Sequence, residues 1–343
     1  MRVLAIHLTM RRFSCLRAVT LFAGSIATAC ASEPGRQPPV QSPPTTAAQP
    51  SQAGDSSVPL PKGSLTIGEA RRYLLALINR DRQSMGLAPV ALEEGAAQRA
   101  GQGHAEDMAE NGYLGHWGLD GSVPEQRLTE AGGADMVLEN ASCFVDQQHR
   151  SIDHEARIDP VQIEKTESMF FHEVPPNDGH RKNILKPWHT SVGLGIAQPR
   201  ATPTEIPVPC VTEEFLDSYG SYAVVPRDSH VGARIRVEGK VHAPAKVAGV
   251  GLARVELPHA LTSSDANARR SYPVPPPYAT YWPPGYVTAI PLVVKGDHFG
   301  IDVPLDDHAR PGLYELSIWA KLPASPDFQI VSLRTIRVAP KEE

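Results

Sequence analysis

The chain has 343 residues, of which 41% are hydrophobic and 33 are prolines, with a net charge of −5; this length suggests about two domains. No run approaching twenty consecutive apolar residues occurs, which excludes a helix spanning a membrane in the mature protein. The acidic balance argues against nucleic acid or an anionic membrane surface as the main partner.

Arg2, Arg11, Arg12 and Arg17 precede an apolar run, AVTLFAGSIATA, that ends at Cys30. A positive flank, a short apolar segment and small residues before a cut describe a secretory signal over residues 1–29. Ala27, Thr28 and Ala29 before Cys30 resemble a lipobox, the site where bacterial lipoproteins are cleaved and acylated on the new N-terminal Cys. Cys30 is then the expected lipid anchor of a lipoprotein of the bacterial cell envelope; the alternative is a secreted chain cut after Ala29. Removing residues 1–29 takes away four arginines and no acid, moving the net charge from −5 to −9. Residues 30–63 are rich in Pro, Ser, Gln, Thr and Ala. Such a segment buries too little apolar surface to offset its ordering entropy, so it is expected to be a disordered tether.

Order is expected to begin near Thr66, where Thr66-x-x-Glu69 has capping-box spacing and Ala70, Tyr73, Leu74, Leu77 and Ile78 follow at helical intervals. Gly86 is a natural stop. A second helix is expected over about 93–110, ended by Asn111-Gly112, and a third over about 124–130, closed by Gly132-Gly133. Residues 136–144 read as a strand, and about 161–172 as a fourth helix. The segment DGHR around His180 reads as a turn, and strands return at 191–197 and near 210–215.

From about Val224 the pattern changes to short apolar or alternating runs separated by Pro, Gly and Asp, namely GARIRVEGKV, VGLARVEL, YVTAIPLVVKG, HFGIDVPL, GLYELSIWAKL and VSLRTIRVAP. Several short strands with turn signals and no helical period suggest a β-sandwich over 224–343. Tyr314 at the opening of a late strand resembles the tyrosine corner of immunoglobulin-like folds. The tract SYPVPPPYATYWPPGY (271–286) places aromatics among prolines. It is either an exposed stacking surface for sugar rings or a long loop packed on its own domain.

The first domain, 64–223, carries HAEDMAENGYLGH (104–116), LEN (138–140), FFHE (170–173) and DGHRKNIL (178–185) in that order. Together they resemble the CAP superfamily of cysteine-rich secretory proteins, antigen 5 and pathogenesis-related 1, also called the SCP domain, over roughly residues 67–217. The resemblance implies an α+β fold, a three-layer α-β-α sandwich, here followed by the all-β immunoglobulin-like sandwich. It also implies a cleft where His116, Glu139, Glu173 and His180 converge, although the family's Trp three residues before Glu173 is Phe170 here.

Two imidazoles backed by carboxylates suit zinc or another divalent cation, with His116 and His180 as its ligands; without metal, the same pairs can tune a general base. Each of the four also has a plainer reading, a polar residue that only ties neighbouring loops together. His104 reads as structural, and His172 should point away from Glu173. There is no HExxH and no GxSxG, and the GLG at 193–195 lacks the context of a nucleotide loop. Cys15 falls in the signal and Cys30 at the anchor, which leaves Cys143 and Cys210. In an oxidising compartment these most simply form one disulfide; the rival is Cys143 as a nucleophile.

Two functions follow from this reading. The first is an extracytoplasmic module that binds an envelope or extracellular ligand: lipid, glycan, protein or divalent metal. The second is a hydrolase that uses the His/Glu cleft, with or without metal, on peptide or glycan.

Overall fold

The computed structural model describes residues 3–7, 57–202, 207–269, 271–323 and 325–341. Cys15, Cys30, most of the expected signal and most of the tether lie outside the described residues. Among the described residues, no helix is long and apolar enough to cross a membrane.

The first helix, α1 (Ile67–Ser84), starts where its capping box predicts. Thr66 Oγ1 accepts from the Glu69 N–H, and the Glu69 carboxylate accepts from the Thr66 N–H. After a two-residue strand β2 (Ala91–Leu92) comes α2 (Ala96–Asn111), which begins later than expected because the Glu93 side chain stays outside and caps it. That carboxylate accepts from the N–H groups of Ala97 and Gln98. Gly112 ends α2 in the left-handed conformation that glycine adopts at low cost.

Then follow α3 (Pro124–Glu130), β3 (Met136–Phe144), α4 (Pro160–Phe171), α5 (Gly179–Ile184), β4 (Ser191–Ala197) and β5 (Cys210–Asp217). A further strand, β1 (Val3–His7), lies inside the expected secretory signal and pairs antiparallel with β3, from His7 opposite Asn140 to Val3 opposite Phe144.

The sheet order is β1-β3-β5-β4-β2. Leu74, Ile78, Ile163, Phe170 and Ile184 from α1, α4 and α5 pack with Val192, Leu194, Ile196, Val211 and Phe215 on one face. On the other face α2 lies so close that β4 has no room for side chains. A Cβ at Gly193 would sit 2.4 Å from the Ala97 carbonyl carbon, and one at Gly195 would sit 2.3 Å from the Gly101 carbonyl oxygen. The GLG motif is therefore a packing surface for a helix. Cys143 and Cys210, on paired strands, form a disulfide, which removes Cys143 as a nucleophile.

The C-terminal strands are β6 (Gly220–Tyr222), β7 (Asp228–His230), β8 (Arg234–Val241), β9 (Lys246–Val255), β10 (Ala279–Tyr281), β11 (Val293–Lys295), β12 (His298–Pro304), β13 (Gly312–Lys321) and β14 (Phe328–Ala339). They make a five-stranded sheet, β10-β9-β13-β14-β7, and a four-stranded one, β11-β12-β8-β6. Val237, Phe299 and Ile301 of the smaller sheet meet Val250, Leu316 and Ile318 of the larger in one core, as in a sandwich.

Two expectations fail here. Of residues 286–296 only the last few form a strand, because Pro291 lacks the N–H a ladder needs and the Leu292 N–H turns back to the Trp282 carbonyl. The region also contains a helix, α6 (Ser263–Ala268), capped by Thr262 and Asp265. The tyrosine-corner geometry is present: the Tyr314 hydroxyl donates to the Arg310 carbonyl at 2.8 Å and accepts from the Asp307 N–H at 2.9 Å.

Residues 64–223 and 224–343 share a hydrophobic seam. Val123, Met136 and Leu138 pack with Tyr272, Leu313 and Leu333. At its edge the Tyr272 hydroxyl donates to the Glu125 carboxylate and lies 3.4 Å from Glu315. Burial, with Glu125 beside it, pushes the Glu315 carboxyl well above the ordinary range.

Candidate functional site

Glu139 and Asn140 are neighbours on β3, so their side chains leave the sheet on opposite faces. Each face holds one histidine–glutamate pair.

On the α2 face, His116 Nδ1 donates to Glu139 Oε1 at 2.8 Å, and both side chains are fully buried. Arg127, from α3, donates to the other oxygen, Oε2, at 2.6 Å. His104 stands behind them, with Nε2 2.8 Å from the Gly115 carbonyl and 3.8 Å from Glu139 Oε1. The structural reading of His104 agrees with this position: it anchors the loop that delivers His116.

Their surroundings drive two adjacent carboxyls in opposite directions. Burial opposes charge on Glu139, but Arg127, then His104 and His116, hold its carboxyl well below the ordinary range. Glu214 is the cross-strand partner of Glu139. Burial first, and the neighbouring Glu139 charge second, push the Glu214 carboxyl well above that range. Burial and the Arg127 charge together push His104 down to about 4, so it is neutral at pH 7.

On the opposite face, His180 Nδ1 donates to Glu173 Oε1 at 2.6 Å, and the His180 backbone N–H donates to Oε2 at 2.9 Å. The segment expected to be a turn is instead the short helix α5. The Glu173 carboxylate satisfies an N-terminal amide of that helix that would otherwise lack a partner. The ring of Phe170 stacks on His180, centroids 4.4 Å apart, so an aromatic group is kept beside the imidazole where the family has Trp. Glu173 is the member of the four that reaches solvent, with its side chain 13% exposed. His172 turns away, its ring Nδ1 2.8 Å from the Ser168 carbonyl of its own helix.

Asparagines tie the two pairs to one segment of backbone. Asn140 Nδ2 donates to the His180 carbonyl at 3.3 Å and to Glu213 Oε2 at 2.9 Å. Asn183 Nδ2 donates to the Glu139 carbonyl at 3.2 Å and to Asn140 Oδ1 at 2.9 Å.

Residues from the C-terminal β-rich region hold the loop that carries His116. Leu114 N–H donates to Asn267 Oδ1 at 2.9 Å, Leu261 N–H donates to the Leu119 carbonyl at 2.7 Å, and Trp117 meets Tyr272 edge-on at 5.2 Å. Arg127, Asn140, Asn183 and this strap were missed by sequence reasoning. An arginine on a short helix reads as solvent-facing, and the Thr262-x-x-Asp265 cap was the available signal for α6.

The donor types suit a divalent cation, since each imidazole has a carboxylate on Nδ1 and His116 Nε2 is buried without a hydrogen-bond partner. Among the described residues, however, no three His, Cys, Asp or Glu side chains gather at metal-binding range. These side chains by themselves do not build a coordination sphere.

Residues 75–206 match the model of the cysteine-rich secretory protein family, CAP. No curated protein matches the chain. Among solved structures, it is similar to a chitin binding domain from Burkholderia pseudomallei, at 10% identity and TM-score 0.22, over 34% of this chain and 58% of that one. It is also similar to a chimeric titin Z1Z2 functionalized with an exogenous decorin peptide, at 10% identity and TM-score 0.17, over 62% of this chain and 90% of that one. Neither similarity is close enough to bear on fold or function.

Proposed function

Since residues 75–206 match the model of the cysteine-rich secretory protein family, we propose that this chain is an extracytoplasmic module that binds an envelope or extracellular ligand, with the solvent-reaching Glu173–His180 pair as its contact. The observation that carries this reading is the pair of His–Glu hydrogen bonds anchored to adjacent residues of β3, with the Glu173 carboxylate facing solvent. Such an arrangement is rigid before any ligand arrives, so little ordering entropy opposes recognition. The buried Cys143–Cys210 disulfide supports an oxidising compartment, reached as a lipoprotein anchored through Cys30 or as a secreted chain.

Three probes test the reading on the full chain: zinc chloride, phospholipid vesicles and peptidoglycan fragments, each titrated by calorimetry. At least one should bind saturably and lose most of its affinity in Glu173→Gln and in His116→Ala/His180→Ala, with the melting transition retained. Steady release of cleaved product from peptidoglycan or casein, abolished by the same variants, would establish the hydrolase instead.

A further inference from the structure

The aromatic tract at 271–286 does not enter the His/Glu site. Trp282 lies on the outward face of the five-stranded sheet, where a Cβ at Gly249 would come within 2.7 Å of its ring. Glycine at that position lets the indole sit flat against β9. Its Nε1 donates to Thr280 Oγ1 at 3.1 Å, which fixes the ring's orientation.

Two further rings flank it, Tyr286 at 6.0 Å and Phe328 at 5.8 Å between centroids, each tilted by 38°. Tilted neighbours leave much of their faces uncovered. Tyr286 is 61% exposed and Phe328 38%. Exposed apolar groups clustered in this way mark a ligand surface more often than isolated ones do.

Charge narrows the ligand. Phe328 pairs across the strands with Lys321, and Lys321 pairs with Lys246, so two cations and a ring form one row at the end of the sheet. Lys321 Nζ donates to the carbonyls of Ser325 and Pro326, each at 2.7 Å, which leaves one of its three N–H groups for a ligand. Both lysines are exposed, and neither is in a salt bridge among the described residues. In a chain of net charge −5, a positive row bordering an aromatic face is complementary to an anionic ligand with flat apolar faces.

We infer that Trp282, Tyr286 and Phe328, with Lys246 and Lys321, form a binding site for an acidic glycan, distinct from the His/Glu site. Sugar rings stack through their C–H faces on the aromatics, and carboxylates along the polymer pair with the lysines. On the same face, Trp319 stands opposite Gly249 and packs into the seam with the first domain, so a bound polymer runs towards the domain junction.

The test is tryptophan fluorescence of the full chain titrated with hexagalacturonate and, separately, with cellohexaose. Hexagalacturonate should give a saturable change that weakens about tenfold in Tyr286→Ala and in Lys246→Ala/Lys321→Ala. Tyr286 is exposed enough for its variant to keep the wild-type melting transition, which guards against a folding artefact. Three results would overturn the inference: no saturable change, equal affinity for the neutral hexaose, or affinity unaltered in Tyr286→Ala. A concentration-dependent dimer in sedimentation that Tyr286→Ala abolishes would also overturn it, by assigning the face to a second copy of the chain.

Discussion

Asn140 donates its side-chain amide to the main-chain carbonyl of His180, 3.3 Å away. The residue after Glu139 therefore holds the helix that carries the second imidazole. The same amide reaches Glu213, and its oxygen accepts from Asn183. Replacing Asn140 by Ala strands several buried polar groups, each worth about 1–3 kcal/mol. The expected result is a loss of at least ~2 kcal/mol in urea unfolding, together with faster amide exchange in α5. Unchanged exchange at 180–184 would show that α5 is held by something else.

Arg127 neutralises the fully buried Glu139 carboxylate. Arg127→Met leaves that carboxylate buried without its cation, and breaking such a pair from one side costs about 3–5 kcal/mol. Arg127→Met/Glu139→Gln should recover more than half of the loss, because the charge that needed pairing is gone. Additive losses in the double variant, measured by denaturant titration, would mean that the two residues do not act as a pair.

Glu213 and Glu167 are buried together, and Asp81 lies near both. Burial first, and the Asp81 charge after it, push Glu213 up to about 7 against its hydrogen bond from Asn140; Glu167 moves in the same direction. A raised carboxyl contributes stability that is complete below its unfolded value of about 4.3. That contribution falls away as pH rises through about 7. Glu213→Gln keeps the acceptor for Asn140 and cannot ionise. Its melting temperature relative to wild type should therefore climb between pH ~5 and ~8; a constant difference across that range would contradict the buried acid.

Gly195→Ala tests the contact between α2 and β4. The added methyl would meet the Gly101 carbonyl oxygen at 2.3 Å, a backbone atom that moves only if the whole helix moves. Overpacking of this kind costs about 1–3 kcal/mol or more. A neutral melting temperature would show that the helix can lift off the sheet at no cost.

The long elements of the first domain were legible because their signals are local. A capping box, a glycine stop or an alternating strand depends on residues a few positions apart, and α1, α3, β3 and β4 fall where such signals place them. The four His and Glu positions could be named from ordered motifs, and the Cys143–Cys210 bridge from what remained once Cys15 and Cys30 were assigned. Residue identity alone could not say which histidine meets which glutamate. That pairing follows from the two faces of β3 and from helices that approach from opposite sides. Arg127 and the strap at 259–272 were invisible for the same reason. Their importance comes from desolvation and from contacts between residues more than a hundred positions apart, such as Leu114 with Asn267, and only the packed chain brings those together.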